Sequence, residues 1–237
     1  MHLSNSVMNT TLTAQLAEAE AAMADYLRHR QDWQAKTALL NQQSAAADAA
    51  ETSAKGFKEQ ARTLLRQMMG KNTKELQALR AEERAAYSQA EDFRDFLKEL
   101  ELARDEAEIS MLEAGNSYIG KRDAALATLA EGRMEEALNQ LEPLLAAIAM
   151  QEDVLNREGR FAEWRQRGHE FAIDAITTKL SLQIKQRMSS FKLDTSQEPV
   201  IQALPWQDGL REAAEFTPMA ANKRRIEMAK RKEELDA

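Results

Sequence analysis

Cysteine is absent from the 237-residue chain, and proline, glycine and aromatic residues are scarce. The first absence excludes disulfides, thiol catalysis and cysteine-ligated metal, and it suits a reducing compartment. Only 4 prolines occur, the first of them Pro143, so nothing in the first half forbids a long helix. Aromatics make up 5% of the residues and glycines number 8, which is not the make-up of a sheet protein. No apolar run approaches the roughly 18 to 20 residues of a membrane span, so no membrane partner is expected. The opening "MHLSNSVMNTTLT" has neither the basic nor the apolar region of a secretory signal, and the expectation is a soluble cytoplasmic protein.

What the chain has in quantity is charge, at 30% of residues, together with Ala, Leu and Gln. That composition belongs to long helices and coiled coils and predicts an all-α fold. Residues 1–10 read as a flexible N-terminus, with Thr11 or Thr13 able to cap a first helix. Leu12, Leu16, Ala19, Met23, Tyr26, Trp33 and Leu40 come next, mostly in steps of three and four, as a coiled-coil-like seam. The stretch "SAAADAAETSAKG" weakens the seam to alanine, Gly56 is a soft point, and apolar bulk returns at Ala61, Leu65 and Met68. "GKNTKEL" reads as a turn over 70–73, with Gly70 in a left-handed C′ position and Asn72 or Thr73 capping the next helix. A second seam runs through Leu76, Leu79, Ala86, Ala90, Phe93, Leu97, Leu100, Ala107, Met111 and Ala114. Residues 11–115 are therefore expected to form a long antiparallel coiled-coil hairpin, with arms of roughly 60 Å. Such a hairpin buries little of its own surface, which predicts a homodimer.

Beyond "EAGNSYIGKRD", Gly115, Gly120, Gly132, Gly159 and Gly168 punctuate the chain, and shorter helices are expected over 116–192. Leu138, Leu141, Leu145 and Ile148 form one apolar stripe there, and Phe171, Ile173, Ile176, Leu180 and Ile184 form another. Pro143 either kinks a helix or opens one. Residues 193–215 contain two prolines and read as a linker. Thr217 followed by Pro218 is a cap and first-position pair that starts a basic C-terminal helix over 216–237.

Catalytic and metal chemistry find little support. "GNSYIGKR" has Gly115, Gly120 and Lys121 at the spacing of a phosphate-binding loop. Arg122 stands where that loop needs Ser or Thr, and the preceding "DEAEISML" is helical, so the stretch is read as a turn. His2, His29 and His169 are scattered and form no ligand pair. Glu170 and Asp174 flank His169 as ordinary surface acids. No Ser-His-Asp arrangement has supporting context. "AALATLAEGRMEEALNQLEPLL" looks like one helical repeat, but no second copy is present. Neither an enzyme nor a cofactor is expected.

Charge is the informative feature. The chain carries a net charge of -7, and between Glu82 and Glu113 eleven acids face four bases. A solvated helix face explains this stretch, and so does a docking surface for something basic. The tail has the opposite sign, with Lys223, Arg224, Arg225, Lys230, Arg231 and Lys232 close together. It lacks the interleaved aromatics and glycines of a nucleic-acid grip, and the acidic chain around it repels phosphate, so direct nucleic-acid binding is disfavoured. It lacks the apolar face of a membrane helix. Docking on a protein fits it best, with a solvated helix end as the alternative.

The tail "EFTPMAANKRRIEMAKRKEEL" resembles the end of the polarity suppression family of satellite bacteriophages, which also closes with Phe-Thr-Pro and a basic helix. Here these are Phe216, Thr217 and Pro218, then Lys223 to Lys232. "LLRQMMGKNTKELQALRAEERAAY" is similar to that family's helix–turn–helix between its long arms. The resemblance implies a homodimer with intertwined, knotted arms. It implies binding to the bacterial transcription terminator Rho, with inhibition of termination, and decoration of the phage capsid. The protein would then act in the bacterial host cytoplasm and on the virion capsid surface. The family's Rho-active tail maps onto Lys223, Arg224, Arg225, Lys230, Arg231 and Lys232. A basic position before the Phe-Thr-Pro is matched by Arg211, displaced along the chain, and an acidic position on the second arm by Glu82 or Glu83. A different reading of the same helices is a purely structural coiled-coil capsid cement or scaffold that never touches Rho.

Overall fold

The computed structural model describes residues 2–157, 161–166, 168 and 171–236, and contains no strand among them. Two long helices dominate, α1 (His2–Gln67) and α2 (Lys74–Asn139). After them come α3 (Glu142–Arg157), α4 (Phe161–Gln166) and α5 (Ala172–Met188). A 3₁₀ turn (Thr195–Gln197), α6 (Pro199–Ala203), α7 (Leu210–Glu215) and α8 (Pro218–Asp236) complete the chain. Among the described residues no helix is long and apolar enough to cross a membrane.

The first turn of the hairpin is set by local chemistry. The Gly70 N–H donates to the Leu65 carbonyl at 3.0 Å and the Met69 N–H to that of Arg66 at 3.3 Å, which closes α1. It is Met69, at φ 48°, that takes the left-handed C′ position expected of Gly70, while Gly70 comes next at φ 81°. The Thr73 hydroxyl accepts from the Leu76 N–H at 3.2 Å and caps α2. Met69 is 94% exposed, so its side chain contributes no packing to offset the strained backbone. Met69→Gly is expected to raise stability by about 0.5–1 kcal/mol, read as a melting temperature about 2 °C higher.

Three boundaries differ from the sequence reading. α1 already starts at His2, so Thr11 and Thr13 lie inside it and residues 2–10 are helical. α2 passes through Gly115 and Gly120 without a break and ends at Asn139, so "GNSYIGKR" is helix interior and not a turn. Continuous i→i−4 bonding leaves no loop there to cradle a phosphate. The segment 193–215 is not a free linker, because Leu204, Leu210 and Ala213 are buried to 1%, 0% and 0% exposure. Pro143 does open a new helix, near the start of α3.

The chain divides into two compact units. The larger comprises residues 18–121 and 206–237, where α1 and α2 pack antiparallel. Its seam is largely alanine, with Ala19, Ala22, Ala47, Ala54 and Ala61 of α1 and Ala86, Ala90 and Ala107 of α2 all buried. Small side chains bring the helix axes close but remove little apolar area from water per residue. Polar contacts across the seam add register. Arg94 bonds the Glu51 carboxylate, and the Lys58 ammonium lies 6.0 Å from the Tyr87 ring. Hydrogen bonding from Lys55, with the Arg94 charge beside it, holds the Glu51 carboxyl below its ordinary pKa.

The smaller unit comprises residues 1–17 and 122–205. Arg122 donates to the Leu204 carbonyl at 3.1 Å, and Arg133 pairs with both Glu136 and Glu198, at 3.1 and 3.0 Å. α3 packs on α5. The Asp174 carboxylate accepts the Phe171 N–H at 3.2 Å, which gives that acid a part in starting α5. His169 and Glu170 lie outside the described residues.

Candidate functional site

Three short-range devices fix the entry to α8. Phe216 ends α7, and the Thr217 hydroxyl accepts the Ala220 N–H at 3.2 Å. Pro218 opens α8, where its missing N–H costs nothing. Asn116 of α2 donates to the Phe216 carbonyl at 2.6 Å and ties this corner to the long arm. The sequence reading placed both the cap and the proline correctly.

The segment ahead of the corner is seated by close approach. Tyr26 of α1, fully buried, donates its hydroxyl to the Asp208 carbonyl at 2.9 Å. Burial, opposed in part by Arg30, pushes the Tyr26 pKa up. The neutral donor is thus stable throughout ordinary pH, and its contribution fades only as the pH rises through that raised value. Gly209 turns the chain at φ 90°, and a Cβ there would meet the Tyr26 hydroxyl at 2.7 Å. Gly115 lets α7 reach α2, since a Cβ on it would lie 2.6 Å from that of Ala213. Read as a breaker in the sequence, Gly115 is a contact surface in the fold.

α8 then runs back along α2 in antiparallel sense. Arg225 pairs with Glu113 at 2.7 Å, Arg224 with Glu108 at 3.3 Å, and Arg231 with Asp105 at 2.5 Å. The Arg224 guanidinium also lies 5.3 Å from the centroid of the buried Phe216 ring. Ala221 is the one residue of α8 that is fully buried among those described. Half of the basic residues of the tail, its three arginines, are thus paired with acids of the acidic stretch of α2.

The candidate residues therefore separate. Arg224, Arg225 and Arg231 face α2. Lys223, Lys230 and Lys232 are exposed and form no ion pair within 4 Å among the described residues. Lys232 borders the groove between α8 and α2 with Asp95, Glu99 and Leu235. Lys223 and Lys230 lie on the opposite side of α8, in line with Met219 and Ile226, which are 82% and 50% exposed. Arg211 stays within α7, 3.7 Å from Glu215, with both side chains in solvent. Glu82 is exposed and Glu83 half-buried near the hairpin turn, and Glu82 borders a groove with Glu59, Leu64 and Leu79. Their distance in sequence from Asp105 corresponds to roughly 35 Å along the helix, so the structure does not bring them to the tail. Asp105, Glu108 and Glu113 were not singled out in the sequence, although the excess of acid over 82–113 marked their neighbourhood.

Lys121, the lysine of the loop-like motif, is 3.8 Å from Glu18 on α1 and serves the hairpin. Comparison of the chain with protein-family models, with curated proteins and with solved structures gave no match.

Proposed function

We propose that the chain is a non-enzymatic docking protein of the polarity suppression kind, which inhibits Rho-dependent termination by binding Rho and also decorates a phage capsid. One observation carries the docking part of this reading. With its arginines turned to α2, α8 presents Met219, Lys223, Ile226 and Lys230 outward. Their steps of four, three and four are those of a helix that lays one face into a partner's groove, with two apolar anchors and two cations. The likeness of the Phe216-Thr217-Pro218 tail to the polarity suppression family supplies the partner, Rho. It also supplies the setting, the host cytoplasm and the virion surface.

A Rho-dependent termination assay with purified protein tests it. Read-through is expected to rise with the full chain and to fall by about tenfold or more for the Ile226→Asp, Lys230→Glu double variant, since loss of a central anchor and a charge removes a hot spot. Unchanged termination at saturating full-length protein would overturn the Rho reading. The structural reading, a capsid cement without Rho contact, is favoured by the engagement of Arg224, Arg225 and Arg231 with the chain's own acids. Co-sedimentation with procapsids, set against Rho capture, separates the two.

A further inference from the structure

A groove of about 880 Å³ runs between α2 and α8 within the larger unit. On α2, Asp95, Glu99, Leu102, Glu106 and Ile109 follow in steps of four, three, four and three, so they share one line of that helix over roughly 21 Å. Met228, Lys232 and Leu235 of α8 form the facing wall. The apolar members are only partly covered. Ile109 is buried, Leu102 and Met228 are half-buried, and Leu235 is 37% exposed. The rim is acidic. Asp95 is matched by Lys98 at 2.8 Å, and Arg225 is spent on Glu113. Glu99, Glu106 and Glu234 are exposed and have no ion pair within 4 Å among the described residues. One cation of the rim, Lys232, is in the same state.

We infer that this groove docks a basic amphipathic helix of a partner protein. Apolar residues of that helix lie on Leu102, Met228 and Leu235, and its lysines or arginines meet Glu99, Glu106 and Glu234. Charge selects this occupant. An apolar cleft alone would accept many ligands, but unpaired carboxylates along its rim repel the phosphates of nucleic acid and of anionic lipid, and they leave an acidic helix unpaired. The chain already makes a contact of this kind, since α8 lies on the neighbouring acids of α2 through Arg224, Arg225 and Arg231. A helix that fills a groove of this length needs about four turns, with one apolar line and cations beside it. The groove lies on the side of α8 away from Met219, Lys223, Ile226 and Lys230, so the inference does not rest on the proposed Rho contact.

Fluorescence anisotropy of a labelled amphipathic peptide of leucine and lysine, about 15 residues long to match the groove, tests the inference on the full chain. The peptide is expected to bind in the micromolar range, and its counterpart with glutamate for every lysine is expected not to bind. The Glu99→Lys, Glu106→Lys double variant should raise the dissociation constant by about tenfold or more, because both positions then repel the peptide's cations. Both side chains are exposed, so circular dichroism should show unchanged helicity. Met228→Asn, on the facing wall, should raise the constant by about fivefold through loss of an apolar anchor. The Glu20→Lys, Glu101→Lys variant makes the same change in net charge at exposed positions outside the groove, and should alter binding by less than about twofold. Equal weakening by the two double variants would mean general attraction to an acidic chain and would overturn the inference, as would a peptide that does not bind. A self-association that Glu99→Lys, Glu106→Lys abolishes in sedimentation velocity would give the groove to a second copy and overturn it too.

Discussion

Reversing Asp105, Glu108 and Glu113 to lysine together is expected to lift α8 from α2. Each of the three arginine pairs lies at the surface, with side-chain exposures between 19% and 55%, so each is held to a modest contribution. At about 0.5–1 kcal/mol per pair the three supply roughly 1.5–3 kcal/mol, and reversal adds repulsion of similar size. For most helices such figures would be small beside the buried apolar face. Here they decide the outcome. Among its described residues α8 fully buries only Ala221, while Met219 and Ile226 are exposed. A helix in a protein takes most of its stability from the face it packs, and α8 packs little. Amide hydrogen exchange over residues 219–235 should accelerate by about tenfold to a hundredfold in the triple variant. High salt should produce part of the same change in the unaltered protein, because exposed pairs are screened. Reversing Glu82 and Glu83, far along the same helix, should leave exchange in α8 unchanged. Full protection of α8 in the triple variant would show that packing and not charge holds the tail.

That contact also shows where sequence reasoning reaches and where it stops. The hairpin, the Thr73 cap and the Thr217-Pro218 start of α8 were legible because each is settled within a few residues, by helical period or by one side chain meeting one backbone N–H. Met69 taking the left-handed position next to an available glycine was not legible, because the last turn of α1 decides which residue falls at C′. The extension of α2 through Gly115 was missed for a different reason. A helix-interior glycine costs about 1 kcal/mol relative to alanine, so a run of glycines reads as a boundary. Whether that cost is offset depends on what approaches the bare backbone, and the approaching residue, Ala213, lies on another helix. The partners of Arg224, Arg225 and Arg231 were hidden in the same way. Net charge marked both surfaces, the acidic arm and the basic tail, but periodicity along one helix carries no information about the register against another.

Gly115→Ala is expected to destabilise the protein, while Gly120→Ala, on the same helix, is expected to stabilise it. Both substitutions gain the roughly 1 kcal/mol by which alanine exceeds glycine in a helix interior. At Gly120 nothing lies within 4 Å of the new Cβ, so the gain stands and the melting temperature should rise by about 2–4 °C. At Gly115 the new methyl would lie 2.6 Å from the Ala213 Cβ and 3.3 Å from the Tyr26 ring. Neither neighbour is the end of a flexible chain, so α7 must move outward. Overpacking of this kind costs about 1–3 kcal/mol. Displacement of α7 also strains the Tyr26 hydrogen bond to Asp208 and the Asn116 bond to Phe216, which together seat the corner that launches α8. The net effect should be a melting temperature lower by several degrees, and faster exchange in α7 and α8 with the seam between α1 and α2 unaffected. The collision names its own remedy. Ala213→Gly removes the atom that is struck, so the double variant Gly115→Ala, Ala213→Gly should be more stable than the sum of its single changes, by about 1 kcal/mol or more. Strict additivity would mean that α7 does not rest on Gly115, and the three-way seat of Tyr26, Gly115 and Ala213 would have to be abandoned.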